Sequence, residues 1–178
     1  MILLFLGILW TVHIRATTDD SFDAESGVVF TGDSASSLAV MAGAEVEPLW
    51  EPSNIEISEL EAALAVTVNE KLGDEWQARR NRPLVRDYFR QYAGITLQGN
   101  KLIFINGFHR SHVEQTARWL AEPHTENELR YFPPEARNEA FWRFMRVVVA
   151  DGGEYFFQAI YDPKSKRIVG FTFNGYGG

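Results

Sequence analysis

The residues best suited to chemistry are His109-Arg-Ser-His112. Imidazoles three positions apart share one face of a helix, the spacing of a chelating pair. A metal site needs a third ligand, and only Glu114 or a distant carboxylate is on offer. The pair therefore reads as helix-start histidines, and no metal or cofactor is expected. Asp151 with Glu154 or Asp162 would be the paired carboxylates of an acid–base site. Asp before Gly152-Gly153, however, is turn chemistry. Ser34, Ser36 and Ser37 lack the G-x-S-x-G setting of a nucleophile. Gly152-Gly153 and Gly177-Gly178 do not open a helix after a strand, so neither cradles phosphate. No catalytic residue is assigned.

Asn106 and Asn174 are a different case. Each stands near the end of an apolar run and is followed by Gly. A buried amide must find partners, so each is expected to bond the backbone of a neighbouring turn. The alternative is that they line a pocket mouth with Tyr92 and His109. Tyr92, Asn106, His109, Asp151 and Asn174 are the candidate binding residues.

The elements that must position these groups begin with Tyr88–Leu97 and Lys101–His109, two β-rich runs around Gln98-Gly99-Asn100. This is a hairpin signature. Leu102-Ile-Phe-Ile105 is apolar on both faces, which predicts an interior strand covered on both sides. Upstream, Ser53 and Glu56 have capping-box spacing. Ile57, Leu60, Leu64, Val68 and Leu72 then recur every three to four residues, which predicts an amphipathic helix over Asn54–Leu72, ended by Gly73. Glu56, Glu59, Glu61 and Glu70 fall on its other face. Ser111 starts a second helix to about Glu122, within a helical excursion over 111–140. Val147-Val-Val149 suggests a strand, and Glu154–Asp162 and Arg167–Asn174 form a second hairpin. Thirteen Phe, six Tyr and five Trp suit an antiparallel core. The expectation is an α+β domain over 45–178, its first helix packed on a four- to five-stranded antiparallel sheet. The order resembles cystatin-like or nuclear-transport-factor-like folds by analogy.

Met1–Ile14 is almost wholly apolar, the length of a signal-peptide core rather than a membrane span. Residues 1–16 are expected to be a signal peptide, or alternatively an inner-membrane anchor. Residues 17–44 are acidic at their start and rich in Ser, Gly and Ala, the composition of a flexible linker. The 178-residue chain carries a net charge of −7 and no Cys. The charge argues against nucleic acid and against an anionic membrane surface. The missing thiols exclude disulfides and Cys nucleophiles.

Arg90-Gln-Tyr-x-Gly94, Leu102-Ile-Phe-Ile-Asn106, Asp151-Gly-Gly153 and Phe173-Asn-Gly175 resemble motifs of a group of small, exported, uncharacterised bacterial proteins. The resemblance runs from about Trp50 to the C-terminus. It implies export and one α+β domain, and brings no activity. Ala150 stands where a Cys is expected in some members, so any disulfide at that place is absent here. The expected function is a periplasmic or secreted non-catalytic binding module for an unknown protein or small ligand. The alternative is a small hydrolase or isomerase with a polar pocket around His109.

Overall fold

A capping box opens the longest helix: the Ser53 amide donates to the Glu56 carboxylate at 2.7 Å, and the Glu56 amide to Ser53 Oγ at 3.3 Å. The computed structural model describes residues 25–43, 49–77, 84–130, 132, 134, 137–138, 140–149 and 152–175. In chain order they form β1 (Gly27–Val29), α1 (Gly32–Ala39), α2 (Asn54–Gln77), β2 (Tyr88–Leu97), β3 (Asn100–His109), α3 (Arg110–Leu120), α4 (Glu126–Leu129), β4 (Phe156–Asp162) and β5 (Arg167–Phe173). Short 3-10 turns at Val40–Ala42, Val85–Asp87, Phe141–Arg143 and Gly153–Tyr155 join them. The fold is α+β in one domain, with an open five-stranded sheet in the order β1-β2-β3-β4-β5.

The sheet is mixed, because β1 pairs with β2 in parallel while the other pairs are antiparallel. The expected antiparallel sheet is present in β2, β3, β4 and β5, and β1 adds a parallel strand at its edge. The β2–β3 hairpin keeps full register from Tyr88↔His109 to Leu97↔Asn100 around Gln98 and Gly99, whose φ angles are 51 and 77. β3 is the central strand. Ile103 and Ile105 enter one core cluster and Phe104 another, so both of its faces are covered.

α2 supplies the cover on one face. Ile57, Leu60, Leu64, Val68 and Leu72 are all buried, against Tyr88, Tyr92, Ile103, Ile105, Phe157 and Tyr161. The helix runs to Gln77 rather than stopping at Gly73. A glycine inside a helix costs only about 1 kcal/mol, less than a continuing helix can absorb. Gly107 on β3 makes room for this core, since a Cβ there would lie 2.2 Å from the Phe157 ring. Gly94 on β2 is equally constrained, because a Cβ there would meet the Trp50 carbonyl at 2.1 Å.

The opposite face is patched by shorter pieces. Residues 25–43 fall within the stretch that composition assigns to a flexible linker, yet they form β1 and α1. Phe30 donates its amide to Tyr92 O at 2.8 Å, and Arg90 donates to Ser26 O at 2.9 Å. Ala35, Leu38 and Ala39 are buried against Ala93, Ile95 and Phe104. The domain therefore extends N-terminal of residue 45.

Val147–Val149 is not a strand. Its backbone is spoken for by side chains: Val147 N donates to Gln91 Oε1 at 3.0 Å, and Val147 O accepts from Asn106 at 2.8 Å. Side-chain amides here replace a sheet ladder. Phe141, Trp142 and Val147 are buried with Phe108 and Val113. β4 begins at Phe156, two residues later than expected, and Tyr155 before it is 41% exposed. No helix among the described residues is long and apolar enough to cross a membrane.

Candidate functional site

The structure does not gather the candidate binding residues into one pocket. Tyr92 and His109 lie on the α2 face of the sheet, whereas Asn106 projects from the other. Asp151 lies outside the described residues.

Tyr92 is fully buried beneath α2. Its hydroxyl donates to the Glu61 carboxylate and accepts from Arg90 Nε at 2.9 Å. Arg90 Nε also lies 3.0 Å from Glu61 Oε1, and its Nη1 donates to Val85 O at 3.0 Å and Tyr88 O at 2.5 Å. Burial, and after it the Glu61 carboxylate, holds the Tyr92 pKa well above the ordinary tyrosine value. The phenol stays protonated as a structural donor. Glu61 therefore does not belong to an inert outer face of α2. It neutralises an arginine that is only 3% exposed.

His109 is reached from Tyr92 only past Arg90 and Tyr88, four residues or about 13 Å along the strand. Its ring meets Tyr88 and Tyr155 edge-on, with centroids 5.7 and 5.0 Å away. Its Nδ1 caps α3, accepting from the Ser111 amide at 3.2 Å and lying 2.8 Å from Ser111 Oγ. His112 instead sets its ring against Phe156. Burial pushes both histidines below the ordinary value of 6.5; at His109, Asp87 and Glu114 oppose the shift and Arg110 adds to it. Both are therefore neutral at pH 7. Among the described residues no group of three His, Cys, Asp or Glu could hold a metal ion.

Asn106 and Asn174 bond the backbone of a neighbouring segment, the first of the two expectations. Asn106 donates to Gln91 Oε1 at 3.0 Å and to Val147 O at 2.8 Å. Gln91, its cross-strand neighbour, donates to Trp142 O at 2.6 Å and to Met145 O at 2.8 Å. Asn174 donates to Val149 O at 2.8 Å. These amides clamp 142–149 onto the sheet and leave little capacity for a ligand.

Open concave surface lies along α3 instead. One hollow of about 260 Å³ is lined by Phe89, Arg110, Val113, Glu114 and Ala117. A second, about 380 Å³, is lined by Ala117, Leu120, Ala121, Arg137, Asn138 and Ala140. Ala117 lines both. The helical positions 110, 113, 114, 117, 120 and 121 follow a three- and four-residue spacing, so one stripe of α3 forms a wall of both. At one end the Arg110 guanidinium stacks 4.5 Å over the Phe89 ring and donates to Ser26 Oγ at 2.7 Å and Arg86 O at 3.1 Å. In the second hollow, Arg137 donates to Phe132 O at 2.7 Å and Leu129 O at 3.4 Å. Sequence reasoning missed this groove because its far wall comes from a segment without periodicity. It also passed over Arg90 and Gln91, whose signal was polar residues inside an otherwise apolar β run.

No protein-family model matches the chain, and no curated protein or solved structure was found to match it.

Proposed function

We propose that this protein is an exported, non-catalytic binding module whose working surface is the groove along α3. The observation that carries the reading is the division of labour among polar side chains. Asn106, Asn174, Gln91 and Tyr92 are spent on holding the fold. The arginine-edged, apolar-floored groove is open to a ligand. A hydrolase or isomerase around His109 gains no support, since Tyr92, Asn106 and Asn174 do not converge on that ring. Export rests on the apolar run Met1–Ile14, and the compartment proposed is the periplasm or the exterior.

The absence of Cys allows one thiol to be placed at will. Ala117→Cys in the groove and Val66→Cys on the outer side of α2 would each carry a photo-crosslinker in cells. The expected result is a discrete adduct from Ala117→Cys alone, in a non-cytosolic fraction. Equal adducts from both positions would overturn the groove, and a wholly cytosolic protein retaining Met1 would overturn export.

A further inference from the structure

We propose that Asn174-Gly175 is a site of spontaneous covalent modification. There the Asn174 amide is converted to aspartate or isoaspartate, with water as the only co-reactant, and the conversion releases the clamp on Val149.

The chain holds two Asn-Gly dipeptides in almost the same local sequence, Ile105-Asn-Gly-Phe108 and Phe173-Asn-Gly-Tyr176. As peptides they would react alike, so any difference between them comes from the fold. The reaction begins when the glycine backbone nitrogen, its proton lost to hydroxide, attacks the side-chain amide carbon of the asparagine. A new N–C bond forms, the bond to the side-chain nitrogen breaks, and that nitrogen takes a proton from water and leaves as ammonia. Water then opens the cyclic imide at either carbonyl, giving aspartate or isoaspartate. The attack needs a glycine nitrogen free of hydrogen bonds and a backbone free to turn out of the extended form.

Asn106-Gly107 has neither. Gly107 lies in register between Arg90 of β2 and Phe157 of β4, so its amide belongs to the ladder. A Cβ on Gly107 would lie 2.2 Å from the Phe157 ring, so packing explains the glycine. At Asn174 the ladder has ended. β5 stops at Phe173, and the Asn174 amide makes one further bond, to Phe156 O at 2.9 Å. Among the described residues nothing accepts from the Gly175 N–H. Gly175 is exposed, and a Cβ built on it would meet no described atom within 4 Å. Its φ is not left-handed either, so neither packing nor backbone conformation calls for glycine there. What the missing side chain leaves is an unhindered nitrogen next to the Asn174 amide.

The leaving group is also the clamp. Asn174 Nδ2 is the atom that donates to Val149 O at 2.8 Å. A carboxylate cannot donate, so conversion takes that donor from Val149 O and sets negative charge against it. Isoaspartate also lengthens the main chain by one methylene between Phe173 and Gly175. Asn106 and Gln91 keep their hold on Val147, Trp142 and Met145. The release is therefore confined to the end of the segment at Val149.

The test incubates the purified full chain at mildly alkaline pH, folded and in urea, and follows both Asn-Gly peptides by mass spectrometry after digestion. In the folded chain Asn174 should convert at least roughly tenfold faster than Asn106, which reacts only when its ladder opens. In urea the two rates should converge. Gly175→Ala should slow conversion at Asn174 by roughly tenfold by crowding the nitrogen, with no change in unfolding midpoint. Amide exchange at 147–149 should quicken in the converted chain and in Asn174→Asp, while α2 keeps its protection. Equal rates at the two sites in the folded chain would overturn the site. So would no conversion at Asn174 without urea, or a Gly175→Ala rate equal to the native one. Conversion at Asn174 with unchanged exchange at 147–149 would overturn the release.

Discussion

The two faces of the sheet are covered by opposite strategies. On one, a single 24-residue helix lays five periodic apolar side chains across four strands, and Glu61 of that helix pairs with the buried Arg90 beneath it. On the other, cover comes from an eight-residue helix and from an irregular segment that forms no strand. That segment is held by amides: Gln91, Asn106 and Asn174 between them satisfy four backbone carbonyls. The contrast is between cover held by apolar area and cover held by directional bonds. A long helix needs only periodicity, whereas an irregular chain must have its polar backbone groups satisfied one by one. The groove along α3 lies on this second face, beside Phe89 and the 140–149 segment.

The sharpest way to break the comparison is to cut the area on the α2 face. Leu64→Ala removes a fully buried side chain and leaves a cavity. The expected cost is about 2–5 kcal/mol, a large share of a typical domain's stability. Ile55 lies on the same helix but is 68% exposed, so Ile55→Ala should cost less than about 0.5 kcal/mol. Urea unfolding of both variants decides the matter. Equal losses would mean that α2 is not what holds this face of the sheet.

On the other face the corresponding cut is Gln91→Ala. It strips the partners of Trp142 O, Met145 O and Val147 N. Leaving a buried group unsatisfied costs about 1–3 kcal/mol, and a loosened segment admits water to relieve the rest. The expected loss is therefore about 1–3 kcal/mol overall, smaller than for Leu64→Ala and different in kind. Amide hydrogen exchange should quicken locally over 141–149 while α2 keeps its protection. Uniform quickening across both faces would show that the segment unfolds only with the whole domain.

The same contrast explains what could be read from sequence. α2, the β2–β3 hairpin and the double burial of β3 were legible because each is written in period and turn chemistry: Leu60 and Leu64 one turn apart, Gln98-Gly99 between apolar runs, Ile103-Phe104-Ile105 without alternation. α1 was not, because Leu38 is the single large apolar residue in Gly32–Ala39, among Ala, Ser and Gly that carry no period. Val147–Val149 was misread because β propensity describes a pleated, half-buried surface and is silent on whether a ladder or a pair of amides will take the backbone. Of the candidate site, the backbone-binding role of Asn106 and Asn174 followed from the cost of burying an amide. The separation of Tyr92 from His109 did not, since it depends on Arg90 and Tyr88 occupying the ground between them.

The smallest expected effect refines the second face through pH. His112 packs on Phe156 beside the groove, and burial holds its pKa below the ordinary 6.5. The unfolded imidazole takes up a proton as pH falls through about 6.5, while the folded one resists until lower pH. Protonation thus favours the unfolded chain, so this contribution to stability is intact above that value and is lost on acidification. His109 has the same sign from burial, moderated by Asp87 and Glu114 and reinforced by Arg110. Asp162 and Glu128 are held below the ordinary carboxylate values by hydrogen bonds from Ser165 and Thr125, so their losses begin further down. Between about pH 7.5 and about pH 5.5 the histidines therefore dominate the slope. Melting temperatures across that window should fall with pH in the native chain and fall less steeply in His112→Gln. Because His112 is half-exposed, the difference should be smaller than the effects of either substitution above. Parallel slopes would show that Phe156 and its neighbours do not desolvate the ring.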